Sequence, residues 1–253
     1  MGSFPKLQSK LDTICLEYHQ IHENLNYDID SNGEAWLLQK LGEKGLLNNV
    51  FDVGANRGDW ASKVLEINPD ATIHCFEICP PTFRKLSERL SASKTKIILN
   101  SFGLSDSLGE IQIKYCPEDD GKTSIVGVLH DLKFQEIKAK VVTGNAYCND
   151  RAIGSIDLLK LDVEGAEPLV LKGFGDMLVP EKIPVVQFEY GLINIVTKFL
   201  ARDFFQFFEE RGYKIGKLFQ NRVRFCEYRF QDEDFLGPNY IAASPQRAAL
   251  LAG

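Results

Sequence analysis

The chain has 253 residues, of which 44% are hydrophobic and 25% charged, and its formal net charge at pH 7 is −6. This size and composition fit a globular α/β domain with a substantial core. The acidic balance argues against a general nucleic-acid binder, which would present an extended positive field to phosphates. There is no run of about eighteen apolar residues and no secretory signal pattern, so we expect a cytoplasmic protein without a membrane span. The six cysteines lack zinc spacing, and we expect free thiols and no metal site.

Two helices are predicted before the first strand. Apolar residues recur at helical spacing from Leu7 to Ile21, which predicts an amphipathic helix packed against the main domain. Ser31 and Glu34 have the spacing of a capping box, which predicts that a second helix begins near Ser31. We therefore predict a helical extension over residues 1–45 and one α/β domain over residues 46–253.

Strands and helices then alternate along the chain. Strands are predicted at about 50–53, 72–77, 96–100, 156–161, 183–188, 213–219 and 239–243, and helices at about 59–67, 80–90, 167–174 and 192–212. This alternation predicts a mainly parallel sheet with helices on both of its faces.

The segment between residues 105 and 154 has a different pattern. Alternating apolar and polar residues at 111–115 and 134–142 predict an inserted antiparallel element. We expect the loop between these strands to face the substrate. It contains His130, the one histidine that could approach an acceptor, but an exposed loop position is the favoured interpretation and a histidine base is not indicated.

A turn of small residues follows the first buried strand and precedes a helix. It runs from Asp52 to Gly58, with Gly54, Ala55 and Asn56 at its centre. Such a turn lets the backbone adopt positive φ and approach a nucleotide closely. A dinucleotide-binding G-x-G-x-x-G motif would need glycine at 56 and 59, whereas the acid-x-G-x-(G/N)-x-G turn of methyltransferases fits.

Two further strand ends offer polar groups to an adenosine. Glu77 ends the second strand, where a carboxylate can accept hydrogen bonds from both ribose hydroxyls. Ser105 and Asp106 come after the third strand, where an aspartate can accept from the adenine amino group. The alternative interpretations are a solvated strand-end carboxylate at Glu77 and an ordinary polar turn at Ser105–Asp106.

Carboxylates are concentrated after the buried strand at 156–161. Asp162, Glu164 and Glu167 fall within six residues, and Glu189 ends the next strand. Such crowding is unfavourable unless the carboxylates face a cation or take part in proton transfer. Glu167 has a simpler explanation, because an acid in the first turn of a helix is favoured by the macrodipole.

Taken together, these motifs resemble those of FkbM-type methyltransferases. The shared patterns are D-V-G-A-N-x-G at 52–58, F-E-x-x-P at 76–80, Ser-Asp at 105–106 and K-x-D-V-E-G-x-E at 160–167. The resemblance covers about residues 30–245. The chain departs from the family at residues 143–145, which read Thr-Gly-Asn where the family carries Thr-Leu-Asp.

The resemblance implies a three-layer class I methyltransferase (Rossmann-like) fold, with a mostly parallel seven-stranded sheet. It also implies S-adenosyl-L-methionine as cofactor and O-methylation of a hydroxyl on a sugar, glycolipid or polyketide-like metabolite. N-methylation, carboxyl methylation and a non-catalytic cofactor-binding role stay open as alternatives.

The site residues divide into two groups. The first is expected to hold the cofactor and consists of Asp52, Gly54, Ala55, Asn56, Gly58, Glu77, Ser105, Asp106 and Asp162. The second is expected to act in catalysis and consists of Asp162 at the amino-acid end of the cofactor, with Glu164 and Glu189 orienting or deprotonating a small-molecule or glycan acceptor. The methylsulfonium and amino groups of the cofactor bring positive charge to these carboxylates, so we expect no metal.

Overall fold

The computed structural model describes residues 4–91, 96–118, 121, 123–126 and 133–253. For residues 4–7 it describes the backbone but not the side chains. Within these residues an eight-stranded sheet has the order β3-β2-β1-β7-β8-β11-β9-β10. Its strands are β1 Asn49–Val53, β2 Thr72–Phe76, β3 Ile97–Asn100, β7 Leu158–Leu161, β8 Val185–Glu189, β9 Lys214–Phe219, β10 Arg222–Phe225 and β11 Asn239–Ala243.

Most of this sheet is parallel. The pairs β1–β2, β2–β3, β1–β7 and β7–β8 are parallel, whereas β11 is antiparallel to both of its neighbours. The first seven strands in the order confirm the predicted sheet. The eighth, β10, forms an antiparallel hairpin with β9 that the sequence analysis did not predict.

Helices cover both faces of the sheet, as its side-chain alternation requires. Phe51 and Val53 point into one core, whereas Val50 points into the other. The core that contains Phe51 is covered by α5 Gly144–Asp150, α6 Glu167–Phe174 and α8 Ala201–Glu209. The opposite core is covered by α2 Glu34–Gly42, α3 Asp59–Ile67, α4 Pro80–Leu90 and α9 Pro245–Leu251. The three layers are therefore confirmed.

The N-terminal helix differs from its prediction in how it packs. The helix α1 spans Phe4–His22, but Tyr18 and Ile21 are 68% and 79% exposed. Packing of its apolar stripe against the domain was a wrong expectation. The chain is held instead just after the helix, where Glu23 forms ion pairs with Lys217 and Arg224.

The prediction of a capping box at the start of α2 is also wrong. The helix begins at Glu34 after Gly33, and Ser31 donates its hydroxyl hydrogen bond to Asp28. The Glu34 carboxylate is buried and accepts hydrogen bonds from Asn32 and Gln187, so a tertiary contact takes the group that a cap would have used. Leu37, Leu38 and Leu41 of α2 pack in the same core as Val50. The boundary at residue 45 stays a prediction.

The predicted helix over 192–212 is two helices. The short α7 Ile193–Thr197 ends where Lys198 adopts a left-handed conformation (φ 58°), and α8 begins at Ala201. Phe204, Phe205 and Phe208 of α8 are buried, which confirms an aromatic core face.

The inserted antiparallel element is present as a second sheet. Its order is β4-β6-β5, from β4 Gly103–Leu104, β5 Gly109–Tyr115 and β6 Gln135–Val142, and β5 pairs with β6 antiparallel. The unpredicted α5 follows, with the Thr143 hydroxyl accepting the Ala146 N–H as its cap. His130 lies outside the described residues. Among the helices that the structure describes, none combines the length and apolar character needed to cross a bilayer.

Close backbone contact joins this second sheet to α6. A Cβ added at Gly173 would lie 1.9 Å from the carbonyl oxygen of Ser105. We expect Gly173→Ala to lower the free energy of unfolding by about 1–3 kcal/mol, because the added methyl overpacks this contact. Urea denaturation measures the change. The control is Gly154→Ala, where an added Cβ meets nothing within 4 Å, and an equal effect of the two substitutions would contradict the prediction.

Candidate active site

The predicted site residues follow four adjacent parallel strands. Gly54 follows β1, Glu77 follows β2, Asp162 follows β7, and Glu189 ends β8. The carboxyl ends of parallel strands lie at one edge of a sheet, and β1 lies between β2 and β7, where the chain order reverses. This is the position at which open α/β sheets bind ligands.

The turn after β1 brings two backbones into contact. Gly54 has φ 85°, and a Cβ on it would lie 1.7 Å from the Asp162 carbonyl oxygen. The N–H groups of Gly54 and Ala55 donate to the Phe76 carbonyl at 3.0 and 2.9 Å. Asn56 and Gly58 also have positive φ, of 47° and 85°. The turn therefore needs small residues for the reason that its sequence indicated.

Glu77 is held by two backbone donors. Its Oε2 accepts the Asn56 N–H at 2.9 Å, and its Oε1 accepts the Cys79 N–H at 2.8 Å. Burial raises the pKa of Glu77 to about 7, against the lowering effect of these two hydrogen bonds. The structure thus brings Glu77 and Asn56 together, and a carboxylate has further lone pairs that can accept hydroxyl donors.

A buried lysine, which the sequence analysis left without a role, links two of the predicted acids. Lys160 Nζ lies 3.5 Å from Oδ1 of Asp52 and 3.0 Å from Oδ2 of Asp162. Burial alone would lower the pKa of Lys160, but the charges of Asp162 and Asp52 raise it, so the ammonium keeps its proton. The sequence signal that could have revealed this role is the presence of Lys160 within an otherwise apolar strand. Such a residue needs a partner when it is buried.

Glu164 and Glu189, the two carboxylates predicted to act on the acceptor, interact electrostatically with each other, and Glu189 does so also with Asp162. Glu164 has a left-handed backbone (φ 51°) and is followed by Gly165 at φ 96°, a turn against which α7 packs through Ile193 and Thr197. Burial, and after it the charges of Asp162 and Glu164, raise the pKa of Glu189 well above its usual range. Glu189 therefore holds a proton more tightly than a solvated carboxyl group does.

Ser105 and Asp106 are placed differently from the other predicted residues. Ser105 is buried, donates its N–H to the Val142 carbonyl at 2.9 Å and packs on Gly173, while Asp106 is exposed. In the part of the chain that the structure describes, their hydrogen bonds run to the second sheet and to Ser107, not to Glu77 or the glycine turn. Their part in cofactor binding stays a prediction.

The described ranges contain no group of three or more His, Cys, Asp or Glu side chains arranged to hold a metal ion.

The sequence profile of the Methyltransferase FkbM domain matches residues 52–215, a range that begins with the glycine turn and continues through β8 into β9. The chain belongs to the FkbM methyltransferase family. It is thus an S-adenosyl-L-methionine-dependent methyltransferase, and the resemblance noted from the motifs is confirmed.

Named relatives share just over a quarter of the aligned residues. Hexuronic acid methyltransferase AglP of Haloferax volcanii is 28% identical over 174 residues, which are 68% of this chain and 70% of that protein. The 2-O-methyltransferase NoeI of Sinorhizobium fredii is 27% identical over 49% of this chain and 56% of its own length. The 31-O-demethyl-FK506 methyltransferase FkbM of Streptomyces tacrolimicus is 27% identical over 50% of this chain and 59% of its own length.

A solved structure of an FkbM methyltransferase, from Methylobacillus flagellatus, aligns with 78% of this chain and 44% of that one, at 13% identity and a TM-score of 0.48.

The residues of the crevice fit S-adenosylmethionine. Buried Oδ2 of Asp52 and Oδ1 of Asn56 have no hydrogen-bond partner among the described residues, although buried polar atoms are normally paired. Gly54 leaves no room for a side chain beside Asp162. Asp52, Gly54, Asn56 and Glu77 would hold the adenosine and amino-acid parts of the cofactor, with Asp162 beside them.

The position of Glu77 at the end of β2 leads to a test of cofactor binding. Glu77→Ala removes the carboxylate expected to accept the ribose hydroxyls, and charged hydrogen bonds contribute roughly 1.5–3 kcal/mol each. We expect the affinity for S-adenosylhomocysteine to fall at least about tenfold while the circular dichroism spectrum stays native. The control is Glu66→Ala at an exposed position of α3. Unchanged affinity in Glu77→Ala would show that Glu77 is only a strand-end carboxylate.

A second prediction concerns Glu167, whose Oε1 accepts the Val163 N–H at 3.0 Å. Burial raises its pKa from 4.5 to about 7, so the folded protein holds this proton more tightly than the unfolded chain, and stability falls as pH rises through this interval. Glu167→Gln removes the titration. Relative to the wild type, we expect the variant to gain about 2–3 kcal/mol between pH 4.5 and pH 8. Urea denaturation across this range measures it, and a parallel pH dependence in both proteins would contradict the assignment.

Proposed function

We propose that this enzyme methylates a hydroxyl group of a small molecule or glycan in the cytoplasm. The observation that carries the proposal is the placement of Glu189 and Glu164 beside Asp162 at the edge of the cofactor crevice. Relatives named for hexuronic acid methylation, 2-O-methylation and 31-O-demethyl-FK506 methylation support a hydroxyl acceptor. The cysteines that the structure describes form no disulfide, which supports a reducing compartment, and the net charge of −6 supports a partner other than nucleic acid.

When bound, S-adenosylmethionine supplies a methyl group on a positively charged sulfur, which departs as a neutral thioether. Asp162, which forms an ion pair with Lys160, would face the amino-acid end of the cofactor. Glu189 or Glu164 takes the proton of the acceptor hydroxyl as its oxygen forms the bond to the methyl carbon. Positioning two reactants in line can itself contribute several kcal/mol, so a modest base is sufficient.

Transfer of tritium from methyl-labelled cofactor to a panel of alcohols and glycosides tests this function. We expect the label to enter an ether linkage, and we expect transfer to survive EDTA because the cofactor itself brings the positive charge that the carboxylates need.

Glu164→Gln should lower kcat at least about tenfold and leave the affinity for S-adenosylhomocysteine within about threefold, because the residue acts on the acceptor.

Each outcome of this assay removes a separate part of the proposal. Label found only in amines or carboxyl esters would contradict O-methylation. Loss of activity in EDTA with rescue by magnesium would contradict metal independence. A Glu164→Gln enzyme with normal kcat would exclude Glu164, and binding of cofactor without transfer to any acceptor would leave a binding protein.

A further inference from the structure

Along residues 8–19, no face of the helix α1 is covered by the part of the chain that the structure describes. All of these residues are exposed, although they occupy every side of the helix. The chain first becomes buried at Asn24, after α1 has ended at His22. Helices in proteins take most of their stability from the packing of an apolar face. The surface on which α1 packs therefore has to come from another molecule.

The apolar side chains of α1 form a narrow line with the spacing of a coiled coil. Leu11, Ile14, Tyr18 and Ile21 follow one another at intervals of three, four and three residues, and each is more than half exposed. These intervals alternate between the a and d positions of a heptad, with Leu11 at a and Ile14 at d. A helix that packs on a globular core usually carries a wider apolar stripe. We call these four residues the seam.

The charges of α1 favour another protein helix over a lipid surface as its partner. Residues 8–22 contain one lysine, Lys10, and two acids, Asp12 and Glu17. Helices that lie on a membrane are rich in lysine and arginine on their polar face, which attracts anionic lipids. A second copy of this chain supplies a helix with the same seam.

The positions beside the seam are self-complementary in one orientation. In an antiparallel pair each a residue faces a d residue, so that Leu11 faces Ile14 of the second copy and Ile14 faces its Leu11. Lys10 and Glu17 are the g positions, and in this register each faces the other on the opposite helix. The pair thus contains two Lys–Glu contacts related by the two-fold axis.

Other arrangements of the two helices lose this match. In a parallel pair the g residues face e positions, so that Lys10 faces Cys15 and Glu17 faces His22. An antiparallel register displaced by one heptad places Lys10 opposite Lys10 or Glu17 opposite Glu17, which is unfavourable because the charges are alike. Parallel dimers also prefer β-branched residues at a and leucine at d, the reverse of the order in this seam.

We propose that α1 is a dimerisation helix. Two copies of this chain pair through their seams, with the helices antiparallel and Lys10 of each facing Glu17 of the other. The interface precedes residues 52–215, which the family profile matches, and the proposal does not depend on the proposed function.

Sedimentation velocity of the purified full chain between about 1 and 50 μM tests the proposal, because association depends on concentration by mass action. We expect the wild type to reach twice the mass of one chain. Ile14→Ser should weaken the dimer at least about tenfold, since it removes an apolar side chain from the seam. The matched control is Leu16→Ser, because Leu16 is 57% and Ile14 59% exposed but Leu16 lies on the opposite side of the helix. The control should dimerise within about threefold of the wild type.

Charge reversal tests the orientation. Lys10→Glu and Glu17→Lys each place like charges opposite one another, and each should weaken the dimer at least about threefold at low salt. The double variant with both substitutions restores the opposite charges without changing the net charge, and it should associate within about threefold of the wild type. In a parallel pair the two positions do not meet, and the double variant would not recover.

Four results would overturn the inference. They are a wild-type monomer throughout this range, an oligomer larger than a dimer, equal effects of Ile14→Ser and Leu16→Ser, and a double charge variant that dimerises no better than the single variants. Binding of a monomeric wild type to phosphatidylcholine vesicles would show instead that a lipid surface covers the seam. Thermal unfolding of each variant, followed by circular dichroism, separates loss of the dimer from loss of the fold.

Discussion

The charge of Lys160, buried between Asp52 and Asp162, is the interaction on which the rest of the site depends. An ammonium group within a sheet is tolerated only when carboxylates and hydrogen bonds replace its water. Asp52 is on β1, whereas Lys160 and Asp162 belong to β7 and the turn that follows it, so the pairing fixes the ends of two neighbouring strands. The same approach of backbones makes a side chain at position 54 impossible.

The electrostatics of the crevice follow from this arrangement. Lys160 pairs with two carboxylates, whereas Glu77 and Glu167 are buried and Glu189 is half-buried, and the pKa of each of these three glutamates is raised. Raised carboxyl pKa values at one edge of a sheet are typical of sites that bind cations or transfer protons. In a methyltransferase the first need arises because the cofactor is cationic, and the proposed hydroxyl acceptor would bring the second because it has a proton to lose.

Much of the fold was predictable because its signals are local. The helix at Glu167–Phe174 was predicted with its observed bounds, since Gly165 precedes it, Pro168 lies in its first turn and Gly175 follows it. The conformation of Gly54–Gly58 and the position of Glu77 followed from the strand-turn-helix pattern. The resemblance of four separated motifs to one family then supplied the cofactor, which no single motif determines.

The errors arose where distant residues override a local preference. Glu34 matched a capping box, yet Gln187, 153 residues further on, takes its carboxylate. The long helix predicted over 192–212 is interrupted because Lys198 adopts a left-handed conformation between α7 and α8. Lys160 was visible as a charge in an apolar strand, but its pairing with Asp52, 108 residues away, requires the parallel register of β1 and β7.

The central claim is that the crevice formed by the glycine turn, Glu77 and Asp162 binds S-adenosylmethionine rather than a dinucleotide. Isothermal titration of the purified protein with S-adenosylhomocysteine, and separately with NAD, tests it most directly. The account predicts saturable binding of S-adenosylhomocysteine with one ligand per chain and no binding of NAD. Saturable binding of NAD together with no binding of S-adenosylhomocysteine would contradict it.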